Sequence, residues 1–203
     1  MSFLESLPNE AHLGDVFARF DRGLDPLMRF HDAVLRGESA LSIAERELLA
    51  AYVSSQNDCQ FCFNSHRVYA AKYGIEPTLF DAINEDLDSA PVSPRMRALL
   101  GFARKLTLQP ARVLQQDTHA LVEAGWSDEA IHDAILVIGL FNMMNRIIFG
   151  HGISPHASLY EQRLEQTLQT PANEREAANQ SDIDQNNYQA FANRATADRK
   201  AGQ

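Results

Sequence analysis

The residues best suited to chemistry are two cysteines and a histidine that lie close together in the chain. The 203-residue chain has two cysteines, Cys59 and Cys62, and His66 follows Cys62 by four positions. Residues three or four apart are neighbours on one face of a helix. Asp58 is a typical N-cap residue, so we expect Cys59 in the first helical turn, where unpaired N–H groups favour a thiolate. His66, one turn beyond Cys62, can then take up or return a proton.

A carboxylate on the preceding predicted helix can join this group. Glu47 lies twelve residues before Cys59. If the two helices pack antiparallel through the turn at residues 57–58, Glu47 reaches the cysteine face. There its carboxylate would orient the imidazole of His66 and hold its proton. We therefore expect Glu47, Cys59, Cys62 and His66 to form one proton-relayed dithiol site.

The charge and apolar content of the chain exclude several classes of partner. Lys and Arg number 18 against 27 Asp and Glu, which gives a net charge of −9 and argues against nucleic acid as a partner. The longest apolar run, residues 134–141, is far shorter than the ~20 residues that span a bilayer. The N-terminus shows no targeting segment. These features predict a cytoplasmic protein with no nucleic-acid or membrane partner, where a cysteine pair favours redox or metal chemistry over a structural disulfide.

The elements that must position the site are helices, because the apolar pattern has a period near 3.6 almost throughout. The pattern predicts an all-α bundle with helices over residues 13–35 with a break at 23–26, 43–56, 59–73, 77–87, 94–107, 110–124 and 127–148. Phe20 and Phe30 of the first helix are predicted to face inward. Asn142 and Asn145 lie on the strongly apolar helix 127–148, and we interpret them as buried capping or subunit contacts.

A weak internal repeat divides the predicted domain, residues 1–165, into two related helical halves. A shift of 51 residues aligns Arg46 with Arg97 and Gly74 with Gly125, so the halves cover about 10–88 and 92–155. The apolar surface of helix 127–148 predicts a homo-oligomer, a dimer, trimer or hexamer. Residues 166–203 are polar and predict a flexible tail, or an arm that orders only in the oligomer.

The spacing of Glu47, Cys59-Gln-Phe-Cys62 and His66, in the frame Leu-Ser-Ile-Ala-Glu-Arg-Glu-Leu-Leu-Ala-Ala at 41–51, resembles the alkylhydroperoxidase D and carboxymuconolactone decarboxylase superfamily. The stretches 124–131 and 140–146 resemble its peroxidase-related branch and extend the likeness over about 10–155. The resemblance implies an all-helical homo-oligomer that reduces hydroperoxides with no cofactor and no metal. Carried over by position, Cys62 attacks the peroxide, Cys59 closes the disulfide, Glu47 and His66 relay protons, and an external thiol or dithiol reduces the pair again.

One position departs from the superfamily prototype, and two other functions stay open. The prototype has a second histidine just before the second cysteine, where this chain has Phe61. Decarboxylase members generally lack the cysteine pair, so the pair favours redox chemistry. The alternatives are a non-redox decarboxylase-like enzyme, or a zinc-binding or redox-sensing oligomeric module. In the zinc-binding hypothesis, the metal is bound by Cys59, Cys62 and His66 together with His119 or His151.

Overall fold

The chain folds as a bundle of helices, and no strand occurs among the residues that the structure describes. The computed structural model describes residues 1–171, 174–175 and 188–201. Its helices are α1 (Leu13–Arg19), α2 (Leu24–Leu35), α3 (Ile43–Gln56), α4 (Gln60–Lys72), α5 (Thr78–Glu85), α6 (Pro94–Leu108), a 3₁₀ turn (Pro110–Arg112), α7 (Gln115–Glu123), α8 (Asp128–His151), α9 (Ala157–Gln169) and a C-terminal helix (Tyr188–Ala201). The predicted all-α class is confirmed.

The first predicted helix is broken earlier than the sequence indicated. The break falls at residues 20–23, and Gly23 adopts a left-handed conformation with φ of 79° before α2 begins. Pro26 then lies within the first turn of α2, where a missing N–H costs nothing. Phe20 and Phe30 are 38% and 40% exposed, so the prediction that they face inward is wrong.

The internal repeat is visible in matching structural details of the two halves. α3 and α6 each follow a serine whose hydroxyl accepts a hydrogen bond from the N–H of the third helical residue. Arg46 of α3 and Arg97 of α6 each donate hydrogen bonds to backbone carbonyls in the chain before their own helix. Gly74 and Gly125 both end a helix with positive φ, 89° and 93°. The halves diverge at residues 110–114, the positions that the 51-residue shift aligns with the cysteine pair. There a 3₁₀ turn precedes a shorter helix.

α3 lies at the centre of the fold, where it packs against α4, α6 and α8. Its residues are buried almost without interruption from Arg46 to Ser54. Among the described residues α8 alone is long and apolar enough to cross a membrane, by length and composition only. Its inner face, including Ile138 and Phe141, lies in the hydrophobic core, as in the core helices of soluble proteins. Burial therefore accounts for the apolar residues on this inner face of α8.

The C-terminal helix packs against α1 and α2 of the same chain. The Asp32 carboxylate of α2 accepts hydrogen bonds from the backbone N–H groups of Tyr188 (2.7 Å) and Gln189 (3.0 Å). Two of the unpaired donors at the start of this helix are thereby satisfied from another helix. The predicted tail begins within α9. Its residues 172–173, 176–187 and 202–203 lie outside the described residues, so flexibility there stays a prediction.

Candidate active site

The turn between α3 and α4 sets the position of both cysteines. Asp58 has φ of 57°, a left-handed conformation that Asp and Asn adopt more readily than most residues. The N–H of Cys59 donates to the carbonyl of Ser54 at 2.9 Å, which closes the reversal. The prediction that Asp58 caps the helix is wrong, because Cys59 itself is the N-cap residue of α4. Cys62 thus occupies the first turn of α4.

The structure places Glu47 of α3 directly against His66 of α4. Oε2 of Glu47 lies 2.6 Å from Nδ1 of His66, and the carboxylate is completely buried. His66 is also buried, and the ring of Phe141 meets it edge-on with centroids 4.4 Å apart. The imidazole is therefore held by a carboxylate on one side and an aromatic ring on another.

A third charged group, Arg36, completes this buried cluster. Its Nη1 lies 2.5 Å from Oε1 of Glu47. Burial by itself raises the pKa of Glu47, but the charges of Arg36 and His66 outweigh burial and lower that pKa to about 2. Glu47 is therefore ionised throughout the physiological range.

Arg36 is itself enclosed by aromatic rings. Its guanidinium lies over Tyr69, Tyr73 and Tyr188, 5.4 to 5.7 Å from the ring centroids. Such stacking favours a desolvated guanidinium. Tyr188 belongs to the C-terminal helix, so that helix helps to enclose the ion pair. No sequence pattern points to Arg36, because it lies just after α2 as its C-cap residue and meets Glu47 only through tertiary packing.

The two thiols share a proton unequally. A hydrogen bond from the neighbouring Cys62 thiol lowers the pKa of Cys59 and, reciprocally, raises the pKa of Cys62. Burial raises the pKa of both thiols. A hydrogen bond with the side chain of Asn145 acts against burial and lowers the pKa of both. The proton of a singly ionised pair therefore rests mainly on Cys62.

Asn145 is a site residue that the sequence interpretation treated as a structural contact. It is buried on α8, its amide donates to the hydroxyl of Ser54 at 3.2 Å, and its carbonyl accepts from Asn57 at 2.9 Å. These contacts fix the amide beside the thiols. A polar residue on an otherwise apolar helix was the available signal, but only the tertiary fold shows that the cysteines lie opposite it.

Replacing Asn145 with alanine is expected to make the cysteine pair less reactive. Losing a hydrogen bond to a charged group costs about 1.5 to 3 kcal/mol, so alkylation by iodoacetamide at neutral pH should slow roughly tenfold. Rates measured across pH should show a higher apparent thiol pKa. Asn142→Ala is the matched control, because Asn142 also bonds Asn57 but not the cysteines. Equal alkylation rates in the two variants would mean that Asn145 does not affect the reactivity of the cysteine pair.

A cavity of about 570 Å³ opens onto one of the two thiols. Cys62 and His66 both line it, together with apolar side chains such as Phe17, Phe141 and Met144. Cys59 is not among the lining residues and is 1% exposed. A molecule in the cavity therefore meets Cys62 first.

Phe61, at the position of the prototype's second histidine, is surrounded by polar side chains from distant parts of the chain. The rings of His12 and Tyr160 lie 5.0 and 5.7 Å from it. Nδ1 of His12 accepts the N–H of Gly14, which leaves Nε2 to donate to the Tyr160 hydroxyl at 3.3 Å. Burial, followed by the charges of His156 and Arg163, lowers the pKa of His12 to about 4, and burial raises the pKa of Tyr160 to about 12. Both groups are neutral near pH 7.

The two histidines suggested as a fourth zinc ligand lie in other settings. His119 is exposed on α7, and Nδ1 of His151 bonds the carbonyl of Ile147 at 2.8 Å. Within the part of the chain that the structure describes, no three His, Cys, Asp or Glu side chains converge as a metal-ligand set. The four-ligand arrangement proposed from sequence is therefore not assembled by these residues.

The helical fold that carries this carboxylate, imidazole and cysteine pair is that of the alkylhydroperoxidase D-like class. The chain superposes on an uncharacterized peroxidase-related protein from Silicibacter sp. TM1040 with a TM-score of 0.67 and 30% identity, over 73% of this chain and 78% of that one. It also superposes on an alkylhydroperoxidase AhpD core protein from Ralstonia eutropha JMP134, likewise described as peroxidase-related. The TM-score is 0.66 and the identity 27%, over 72% of this chain and 77% of that one. The uncharacterized protein YdfG of Bacillus subtilis is 27% identical over 115 residues, 57% of this chain and 78% of that one.

Residues 10–202 match the family described as PA26 p53-induced protein (sestrin), and the chain belongs to that family. The match covers nearly the whole chain, including the C-terminal helix. The resemblance to the alkylhydroperoxidase D superfamily is thus confirmed, and a general peroxidase-related function follows from these relatives.

Proposed function

We propose that this protein is a thiol-dependent peroxidase that reduces organic hydroperoxides through Cys62 and Cys59. One observation carries the proposal: Cys62 lines the cavity beside His66, whose Nδ1 is held by the ionised Glu47 at 2.6 Å. A peroxidase needs an accessible thiol, a base for its proton and a second thiol within reach. The site offers all three.

Glu47 orients His66 and does not itself carry the moving proton. With a pKa of about 2, Glu47 stays ionised and accepts the Nδ1–H of the imidazole. This hydrogen bond leaves Nε2 as the basic nitrogen. A base is needed because the pKa of Cys62 is raised by its bond to Cys59 and by burial.

In the first step Cys62 reduces the hydroperoxide. The Cys62 thiol gives its proton to Nε2 of His66, and the thiolate attacks the terminal oxygen of the hydroperoxide. An S–O bond forms as the O–O bond breaks, and the leaving alkoxide takes the proton from His66 to become an alcohol. Cys62 is then a sulfenic acid.

In the second step Cys59 resolves the sulfenic acid. Its lowered pKa suits it as a nucleophile toward the Cys62 sulfur. The S–S bond forms as the S–O bond breaks, and the hydroxide leaves as water with the proton that Cys59 released. An external thiol or dithiol supplies two electrons and two protons to restore the pair, and it must attack the Cys62 sulfur, because that sulfur lies at the cavity.

The variant Cys59→Ser tests this division of roles. After one equivalent of cumene hydroperoxide, its Cys62 should remain a sulfenic acid, and mass spectrometry should find the dimedone adduct there. The wild-type chain should give the Cys59–Cys62 disulfide and little adduct. An adduct that forms on Cys59 in the matched variant Cys62→Ser, but not on Cys62 in Cys59→Ser, would reverse the assignment.

We further propose that the protein works as a cytoplasmic homo-oligomer. Reduced thiols suit the cytosol, and α8 leaves Ile135 and Met143 38% and 40% exposed, which supports a subunit contact there. Light scattering coupled to size-exclusion chromatography measures the assembly directly.

A further inference from the structure

Tyr160 lines the cavity together with Cys62, and the steps proposed for the cysteines and His66 leave it without a role. It extends from α9, which packs against α4. Its side chain is buried, and its ring meets that of Phe61 edge-on with centroids 5.7 Å apart. Because a buried phenol keeps hydrogen-bond partners for its hydroxyl, the surroundings of that hydroxyl indicate what it does.

His12 fixes the orientation of the Tyr160 hydroxyl. The imidazole of His12, neutral near pH 7, donates its Nε2–H to the Tyr160 oxygen at 3.3 Å. Since His12 is the donor, the phenolic hydrogen is directed away from it. The hydroxyl also forms a hydrogen bond with the side chain of Ser65, and both Tyr160 and Ser65 line the cavity. The phenolic hydrogen can therefore be donated to a ligand in the cavity.

Helical spacing in α4 places this hydroxyl near the reactive thiol. Ser65 and His66 follow Cys62 by three and four residues, so the three share one face of α4, and all of them line the cavity. Burial is the main cause of the raised pKa of Tyr160, and the charge of an ionised Cys62 raises it further, as only a nearby group can. Tyr160 from α9 and His66 from α4 therefore both border the space next to the Cys62 sulfur.

The first step of the proposed reaction develops negative charge on oxygen in this space. As the thiolate of Cys62 attacks the terminal oxygen of a hydroperoxide, the O–O bond breaks and the second oxygen leaves as an alkoxide. A fixed, uncharged hydrogen-bond donor in a site shielded from water stabilises such charge as it develops. With a pKa of about 12, Tyr160 keeps its hydrogen near neutral pH and can serve as this donor.

We propose that the hydroxyl of Tyr160 binds the hydroperoxide beside Cys62 by donating a hydrogen bond to the oxygen that leaves. This inference rests on the proposed peroxidase function and adds the group that holds the departing oxygen. His66 supplies the proton that converts the alkoxide to the alcohol, whereas Tyr160 keeps its own proton throughout.

The variant Tyr160→Phe tests the donor, because it removes the hydroxyl and keeps the ring that packs against Phe61. In the Cys59→Ser background Cys62 is the only thiol, and its oxidation by cumene hydroperoxide should slow at least about tenfold when the donor is lost. Alkylation by iodoacetamide should keep its rate, because it needs the thiolate but forms no charged oxygen. With peracetic acid, whose leaving carboxylate is already stable, oxidation should slow less than with cumene hydroperoxide.

Tyr52→Phe is the matched control. Tyr52 is also buried, but it belongs to the main hydrophobic core and is not among the described residues that line the cavity. Loss of its hydroxyl should leave the rates of oxidation and alkylation unchanged. If Tyr160→Phe slows both reactions equally, Tyr160 serves only the structure of the site and the proposed donor is wrong.

A binding measurement separates failure of this inference from failure of the proposed function. The double variant Cys59→Ser, Cys62→Ser has no thiol to react, and calorimetry should show that it binds cumene hydroperoxide. Adding Tyr160→Phe should raise the Kd about fivefold, the effect of losing one hydrogen bond. Peroxide reduction as fast with Tyr160→Phe as without it would overturn the donor and leave the peroxidase standing. Hydroxyl-dependent binding without any oxidation of the wild-type thiols would overturn the peroxidase and keep the binding site.

Discussion

Replacing Cys62 with serine is expected to abolish hydroperoxide reduction. The hydroxyl does not ionise near neutral pH, so kcat/KM should fall at least about a thousandfold, as when other enzymes lose a nucleophile. Serine has nearly the size of cysteine, and the position is 4% exposed within α4, so the helical fold should persist. Consumption of cumene hydroperoxide, coupled to a dithiol reductant, measures the loss.

The comparison with Cys59→Ser sharpens this result. That variant should complete the first chemical step and then stall, whereas Cys62→Ser should not begin. Circular dichroism of both variants controls for folding. Full hydroperoxide turnover in the double variant Cys59→Ser, Cys62→Ser would mean that neither thiol reduces the peroxide and would contradict the dithiol mechanism.

The second large effect is expected for Glu47→Gln. Removing one partner of a buried ion pair leaves the other charge unpaired, which costs about 3 to 5 kcal/mol. Here the orphaned group is Arg36, because its Nη1 faces Oε1 of Glu47. Urea denaturation should show this loss, and peroxide turnover should fall with it because the imidazole of His66 loses its anionic partner.

A second substitution separates stability from catalysis. In Glu47→Gln, Arg36→Met no unpaired buried charge remains, so most of the stability should return. Turnover should stay low, since the carboxylate beside His66 is still missing. Recovery of both stability and turnover would show that Glu47 serves the fold alone.

The ion pair between Glu47 and Arg36 also predicts how the stability of the fold depends on pH. The pKa of Glu47 is about 2 in the folded chain against 4.5 ordinarily, so its contribution is complete above about pH 4.5 and is lost as pH falls toward 2. The two pKa values correspond to a contribution on the order of 3 kcal/mol. Other carboxylates titrate in this range as well. The difference between the wild-type chain and Glu47→Gln, Arg36→Met, measured at pH 6 and pH 3, isolates Glu47; a difference that does not change with pH would contradict the ion-pair account.

The part of the site that could be predicted lies within one helical hairpin. Glu47, the cysteines and His66 belong to adjacent helices joined by a short turn, so helical spacing alone brings them onto facing sides. Apolar periodicity predicted most helices, and the 51-residue shift predicted the two related halves. Arg36, Asn145 and Tyr160 escaped prediction as site residues because they reach the hairpin from other helices, and local sequence does not encode such contacts.

Local turn chemistry explains the smaller errors. Gly23 and Pro26 both suggested a break, but proline is compatible with a first helical turn, so the glycine determined the boundary. Asp58 is a residue type that is common at N-caps. The sharp reversal between α3 and α4 instead places Asp58 in a left-handed conformation, and Cys59 occupies the cap position. In both places the residue type was informative, but the geometry of the reversal decided its position.

The most direct measurement is a titration of the fully reduced protein with an organic hydroperoxide in the absence of any reductant. If the hydroperoxide oxidises both thiols in one pocket, one equivalent of cumene hydroperoxide should remove two thiols per chain and yield one cumyl alcohol. Peptide mapping should then detect a Cys59–Cys62 disulfide. Thiols that survive excess hydroperoxide unchanged, with no alcohol formed, would contradict the account.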